Sequence, residues 1–145
     1  MTRRKRLVIA AIAIATIGSA LTLLQRNNAD TAEAATFSGI TAEYRGTEYC
    51  EVVVDLGNVA RSATTHKTIR LTNLSDSPII LLDYSTQCRC MWLEFERKAI
   101  AQNDSIDIAL TFDSRGEWGS VGNYMEITTS VEDAPIILWI GAEIE

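Results

Sequence analysis

"SIDIALTFD", residues Ser105–Asp113, decides the fold class, because its apolar and polar side chains alternate. The apolar side chains, which would face a core, are those of Ile106, Ile108, Leu110 and Phe112. The polar side chains, which would face solvent, are those of Asp107, Thr111 and Asp113. Successive side chains of a strand point to opposite faces, so this period of two predicts a half-buried β-strand.

Shorter runs on both sides of this stretch also have the composition of strands. They are "EVVVDLG" (51–57), "HKTIRLTN" (66–73), "IILLDY" (79–84), "YMEITTSV" (124–131) and "IILWIGAEI" (136–144). Turn residues separate several of them, in "SDSP", "SRGEWGSVGN" and "EDAP". Such a pattern predicts an all-β fold, an antiparallel β-sandwich of about seven strands and of immunoglobulin-like size, over residues 48–145.

The first 24 residues have the composition of an export signal. Four consecutive cations (3–6) precede an uncharged run of 18 residues, Leu7–Leu24. This run can form a membrane-spanning helix, and it also fits a signal peptide cleaved after Ala20 or, further on, after Ala34. We expect an apolar helix within residues 1–24 that is retained as an anchor. In both cases the basic flank stays in the cytoplasm and the remainder is exported.

Residues 25–47 are polar and alanine-rich, which predicts a spacer between the membrane and the domain. The exported part is acidic. Residues 35–145 carry eight Lys and Arg against 17 Asp and Glu, a net charge of −9, whereas the whole chain carries −6. An acidic surface repels phosphate backbones, and no basic stripe with interleaved aromatic residues is present. The sequence therefore argues against nucleic acid as a partner.

The order of the motifs carries a family resemblance. "VDLGNV", "HKTIRLTN", "SPIILLDYSTQCRCMW", "ALTFDSRGEWGSVGNYMEIT" and "PIILWIGAEI" follow one another along the chain. From about Val52 to Ile144 the chain resembles the DUF1573 family of exported bacterial domains. It resembles more distantly the immunoglobulin-like ASPM/SPD-2/hydin and major-sperm-protein domains. The resemblance implies an immunoglobulin-like fold and an exported setting, without a characterised biochemical role.

Three features depart from the pattern of that family. Arg89 stands where a glycine is usual between the two cysteines, and "QND" (102–104) replaces a Pro-Gly pair. Cys50 lies outside the pattern. The first departure bears on the chemistry of the cysteines, because a glycine would bend the backbone between them at lower cost.

Cys88 and Cys90, in "STQCRCMW", are the main candidates for a structural disulfide, with Cys50 as a third candidate. On a regular strand the Cα atoms of Cys88 and Cys90 would lie roughly 6.5 Å apart, so a direct bridge needs a local bend. A bridge from Cys50 to either residue would close a loop of about 40 residues and stabilise the fold by a few kcal/mol. An oxidising compartment favours one bridge, which leaves one thiol unpaired.

The alternative is an envelope thiol protein that binds a soft metal or acts in redox chemistry. Three thiolates, from Cys50, Cys88 and Cys90, could hold Cu(I) or Zn²⁺. Zinc usually takes four ligands, however, and the only histidine, His66, lies on a predicted strand. Redox dithiols typically form a Cys-x-x-Cys at a helix start, which this pattern lacks. We place the structural bridge first, the metal site second and redox chemistry third, and expect no cofactor.

No catalytic constellation is evident in the sequence. A Ser-His-Asp triad would need His66, and no Gly-x-Ser-x-Gly motif accompanies it. Trp92 and Trp139 are predicted to lie in the core. Trp118 would pack over the sheet or, if it is exposed, mark a partner contact, because Trp is enriched at binding hot spots.

The sequence as a whole predicts a non-enzymatic, immunoglobulin-like module of the bacterial cell envelope with a binding or structural role. Its expected partners are the membrane, through the N-terminal helix, and an unidentified envelope protein, with no small-molecule substrate. We expect the domain outside the cytoplasm, anchored in the inner membrane. If the leader is cleaved, the domain would be periplasmic or secreted.

Overall fold

The computed structural model describes residues 37–145, which form eight β-strands. They are β1 (Ile40–Tyr44), β2 (Cys50–Val59), β3 (Thr64–Asn73), β4 (Leu81–Thr86), β5 (Met91–Glu94), β6 (Ser105–Asp113), β7 (Gly119–Thr129) and β8 (Ile136–Ile144). In this part of the chain no helix is long and apolar enough to cross a membrane. The expected leader (1–24) and most of the expected spacer lie outside the described residues.

The strands form two mixed sheets of four strands each. Sheet one has the order β1-β3-β6-β5, and sheet two has the order β2-β8-β7-β4. The all-β prediction is confirmed, but the prediction of purely antiparallel sheets is wrong. β1 runs parallel to β3, and β2 runs parallel to β8. An alternating pattern says which face of a strand is buried and does not encode the direction of its neighbour, so these edge pairings were not predictable.

β1 lies within residues 25–47, the range predicted to be a polar spacer. The strand is short and only two of its side chains, Ala42 and Tyr44, are buried. Its sequence, "ITAEY", contains no run of β-branched residues comparable to that of β2. The folded part of the chain therefore begins before the predicted boundary at residue 48.

The core lies between the two sheets and is built from alternate side chains of the strands. The four residues predicted to point inward from β6, which are Ile106, Ile108, Leu110 and Phe112, are all buried. Ile69 and Leu71 of β3 and Met125, Ile127 and Leu138 of sheet two are buried as well. Thr111, which was predicted to face solvent, is also buried. It pairs in register with His66 on one side and Trp92 on the other, so neighbouring strands cover it.

Three loops meet at one end of the sandwich, and backbone hydrogen bonds hold them together. They are residues 60–63, 87–90 and 114–118, and we call this set the thiol end. The amide of Asp113 donates to the carbonyl of Cys90 over 2.8 Å, and the amide of Ser114 donates to Ala63 over 2.9 Å. The loop predicted over 114–123 is shorter than expected, because Gly119 already begins β7.

Tyr44 connects the two sheets through the core. Its side chain is fully buried, and its hydroxyl donates to the carbonyl of Ala134 over 2.8 Å. The same hydroxyl lies 3.1 Å from Oγ1 of Thr129, at the end of β7. A buried hydroxyl with two partners contributes to stability, because the hydrogen bonds offset the cost of removing it from water.

We predict that Tyr44→Phe lowers the free energy of unfolding by about 1 kcal/mol, because the change removes the hydroxyl and keeps the ring. Urea denaturation followed by circular dichroism measures the effect. Tyr49→Phe is the matched control: Tyr49 is exposed, so we expect a change within about 0.5 kcal/mol. Equal effects of the two substitutions would show that Tyr44 does not connect the sheets as described.

Candidate functional site

Cys88 and Cys90 lie in the loop that leads from β4 in sheet two to β5 in sheet one. Their sulfur atoms are at bonding distance and their Cα atoms are 5.2 Å apart. The bend that a direct bridge requires is therefore present, because the chain leaves the strand at Thr86 and turns before Met91. The hydroxyl of Thr86 fixes this turn by accepting a hydrogen bond from the Cys88 amide over 3.2 Å and donating one to the Cys88 carbonyl over 3.1 Å.

Glu117 completes a three-residue cluster with the two cysteines. One carboxylate oxygen of Glu117 and the sulfur atoms of Cys88 and Cys90 all lie within 4.8 Å of one another, and the three residues are half-buried. The 114–118 loop holds Glu117 in this place, since its amide donates to the carbonyl of Ser114 over 3.1 Å. Sequence reasoning missed Glu117, because only the pairing of the strands brings this loop to the cysteines.

Cys50 does not join this cluster. It lies at the start of β2, and β2 and β4 occupy opposite edges of sheet two. Its thiol donates to the carbonyl of Glu43 over 3.3 Å, and burial raises its pKa. The arrangement brings two of the three predicted cysteines together and does not form the three-thiol site.

The bridge contributes little to stability through chain entropy. It closes a loop between residues only two positions apart. In the loop-entropy estimate such a closure is worth about 1.5 kcal/mol, compared with about 4 kcal/mol for a loop of about 40 residues. The Cys88–Cys90 bridge therefore stabilises the fold less than a bridge from Cys50 to either residue would have done.

Trp118 lies in the 114–118 loop of the thiol end and is 76% exposed. The indole does not pack over the sheet. The loop itself is held firmly, because the buried hydroxyl of Ser114 donates to the carbonyl of Ala60 over 2.7 Å and accepts from the amide of Ala63 over 2.9 Å. Trp118 is thus a large apolar side chain displayed in solvent from an anchored loop.

The outer face of sheet two carries a second candidate surface. Val53, Trp139 and Tyr124 lie opposite one another in register on β2, β8 and β7. Val53 is 73% exposed and Trp139 is 46% exposed. The ring centroids of Tyr124 and Trp139 are 5.6 Å apart. The prediction that Trp139 lies in the core is therefore wrong, and so is that for Trp92, which is 37% exposed on the outer face of sheet one.

Two glycines form a low floor beside these rings. Gly122 of β7 and Gly141 of β8 pair directly, and a Cβ atom at either position would meet nothing within 4 Å. Together with the aromatic residues they form a shallow groove of about 380 Å³, which we call the sheet-two groove. Its lining consists of Val53, Gln87, Gly122, Asn123, Tyr124, Trp139, Ile140 and Gly141. No residue of this lining carries a charge.

His66 and the Arg70–Asp107 ion pair lie outside both surfaces, whereas the Asp113–Arg115 ion pair lies at the thiol end. Nδ1 of His66, on β3, is 3.0 Å from the hydroxyl of Thr111. The carboxylate of Asp107 accepts two hydrogen bonds from Arg70, which lower its pKa. Asp113 is bonded in the same way to Arg115, which lowers the pKa of that carboxyl as well. These carboxylates are engaged by guanidinium groups at the surface, which favours a solvated role over general acid–base chemistry.

Comparison with solved structures shows the fold. The chain is similar to a protein of unknown function from Porphyromonas gingivalis W83, with 17% identity and a TM-score of 0.55 over 77% of this chain. It is also similar to the Vibrio cholerae VesB protease, with 12% identity and a TM-score of 0.55 over 64% of this chain. The chain spans 51% and 30% of those two chains, respectively. At these identities the likeness concerns the fold alone.

Sequence comparison gives the family. No curated protein matches the chain. A family profile described as a protein of unknown function, DUF1573, matches residues 47–144, which include seven of the eight strands, both cysteines of the thiol end and the whole sheet-two groove. The family description assigns no enzymatic activity. The chain belongs to the DUF1573 family.

Proposed function

We propose that this protein is an exported, membrane-anchored, immunoglobulin-like module of the bacterial cell envelope, with a non-enzymatic role in binding another envelope component. The observation that carries the proposal is the sheet-two groove. It offers two neighbouring aromatic rings, tilted at 50° to each other, and an exposed valine beside a floor of paired glycines.

The strand order supports the immunoglobulin-like assignment. An immunoglobulin constant domain places strands A, B, E and D in one sheet and C, F and G in the other. If β1 is taken as A and β3–β8 as B–G, sheet one has the order A-B-E-D and β8-β7-β4 has the order G-F-C. β2 then adds one strand beside G. The parallel pairing of β1 with β3 is a local variation on this order.

The chemistry of the groove favours binding over catalysis. Tyr and Trp provide large contact areas with few rotatable bonds, so ordering them on binding costs little entropy. The glycines leave room for the backbone or side chain of a partner to approach the sheet closely. The lining contains no nucleophile paired with a base and no carboxylate pair, which are the groups that hydrolytic chemistry requires.

The setting in the envelope rests on the leader. The basic flank followed by 18 uncharged residues is the pattern of an exported chain. Both structural relatives named above come from bacteria. An oxidising compartment is also consistent with a disulfide between Cys88 and Cys90, whose sulfur atoms are at bonding distance.

We predict that the protein purified from the envelope fraction has the intact mass of the uncleaved chain. Before reduction, alkylation should modify one thiol, that of Cys50, and after reduction all three. Mass spectrometry of the unfolded protein measures both quantities, and unfolding removes the protection that burial gives to Cys50. A mass that corresponds to a chain cleaved after Ala20 or Ala34 would contradict the retained anchor. Three alkylated thiols before reduction would contradict the Cys88–Cys90 bridge.

We predict that a photoreactive phenylalanine analogue in place of Val53 crosslinks to an envelope component in living cells. The position is exposed beside Trp139, so the fold should tolerate the change. Trp139→Ala should reduce the crosslinked product at least about tenfold, because hot-spot truncations typically cost 2 kcal/mol or more. Electrophoresis of the envelope fraction measures the product.

The matched control places the same analogue at Ala109, which is exposed on the outer face of sheet one. We expect no product of comparable yield from this position. Equal yields of crosslinked product from positions 53 and 109 would contradict the groove as the binding surface. A yield at position 53 that Trp139→Ala leaves unchanged would contradict it as well.

A further inference from the structure

We propose that the reduced thiol end binds one Zn²⁺ ion through Cys88, Cys90 and Glu117, and that formation of the Cys88–Cys90 disulfide abolishes this site. The inference is independent of the groove and of the function proposed above. It differs from the three-thiol site considered from the sequence, because Glu117 takes the place of Cys50.

The geometry of the cluster fits a tetrahedral zinc ion. Zinc bonds thiolate sulfur at about 2.3 Å, which places two such ligands roughly 3.8 Å apart. The three ligand atoms already lie within 4.8 Å of one another. Once the bond between the sulfur atoms opens, a small separation of the side chains gives the required spacing without moving a strand. Among residues 37–145 the cluster offers three ligands, so water would fill the fourth position.

The local hydrogen bonds hold two of these ligands in place before a metal arrives. Thr86 fixes the turn at Cys88 from both sides of the residue, and the Asp113 amide holds the carbonyl of Cys90. Arg115, the cation nearest to Glu117 in the sequence, pairs with Asp113. The pairing keeps the guanidinium engaged elsewhere, so the carboxylate of Glu117 is left to face the sulfur atoms.

The mixed ligand set selects the metal. Two thiolates and one carboxylate carry a charge of −3, which suits a divalent cation of borderline softness. Cu(I) is satisfied by thiolates alone and gains little from a carboxylate oxygen, whereas zinc readily takes one. Glu117 therefore favours Zn²⁺ over Cu(I).

The redox step balances with an external dithiol. The dithiol passes two electrons and two protons to the Cys88–Cys90 bond and is itself oxidised to a disulfide. The two resulting thiols release their protons to solvent as Zn²⁺ binds to the sulfur atoms. Oxidation by an external disulfide transfers two electrons from the two thiolates to that disulfide, which takes up two protons and becomes two thiols. The ion is then released, because thiolates are the zinc ligands and the neutral sulfur atoms of a disulfide bind zinc only weakly.

Equilibrium dialysis against Zn²⁺ tests the site on the full-length chain in detergent. One sample is reduced and freed of reductant under anaerobic conditions, and a second is kept oxidised. We expect about one bound Zn²⁺ per reduced chain and none per oxidised chain. We expect Glu117→Gln to raise the Kd of the reduced chain at least about tenfold, since it removes a charged ligand and preserves the shape of the side chain.

Two controls show whether bound Zn²⁺ comes from the proposed site and not from Cys50, and whether a loss of binding comes from a folding defect. Cys50→Ser should retain the wild-type affinity, because Cys50 lies at the opposite edge of sheet two. The oxidised wild-type chain needs no substitution, so its failure to bind cannot arise from a folding defect. The proposal is overturned if reduced wild-type chain binds no more Zn²⁺ than the reduced Cys88→Ser/Cys90→Ser variant. An unchanged Kd in Glu117→Gln would remove Glu117 from the site.

Discussion

The constraint on which the structure depends is the alternation of side chains along each strand. A sheet that buries one face must display the other, because successive residues point in opposite directions. In β8 this rule buries Ile136, Leu138 and Ile140 and leaves Trp139 outside. The neighbouring strands follow the same rule, which sets Val53 and Tyr124 beside Trp139. The apolar core and the exposed aromatic row are thus two consequences of one pattern.

This constraint also explains which parts of the fold were predictable. β6 was predicted with its bounds and its four buried apolar residues because polar and apolar positions alternate, although Thr111 is buried as well. Trp139 was misplaced because "IILW" is apolar at every position, so the sequence does not show which face is covered. β1 was missed because only two of its side chains are buried. The parallel pairings depend on where the chain crosses from one sheet to the other, and the residue pattern within a strand does not predict that crossing.

The same distinction applies to the thiol end. The Cys-x-Cys pair was recognisable because the two residues are neighbours in sequence, and the bend they require was predicted from strand geometry. Glu117 was not, since it reaches the pair only through the pairing of β6 with β5 and the turn that follows β6. Cys50 had the right chemistry, but β2 occupies the far edge of its sheet. The types of residue in the sequence indicated candidate ligands, and the order of the strands determines which of these candidates lie together.

The two candidate surfaces share a short segment of chain. Gln87 lines the sheet-two groove, and the next residue is Cys88. A partner that contacts Gln87 would therefore also lie beside the turn that holds the two sulfur atoms. If that turn differs between the two thiol states, the partner binds them with different affinities. By thermodynamic reciprocity the bound partner then shifts the thiol equilibrium by the same factor. The position of Gln87 is what would connect chemistry at the end of the sandwich to recognition on its face.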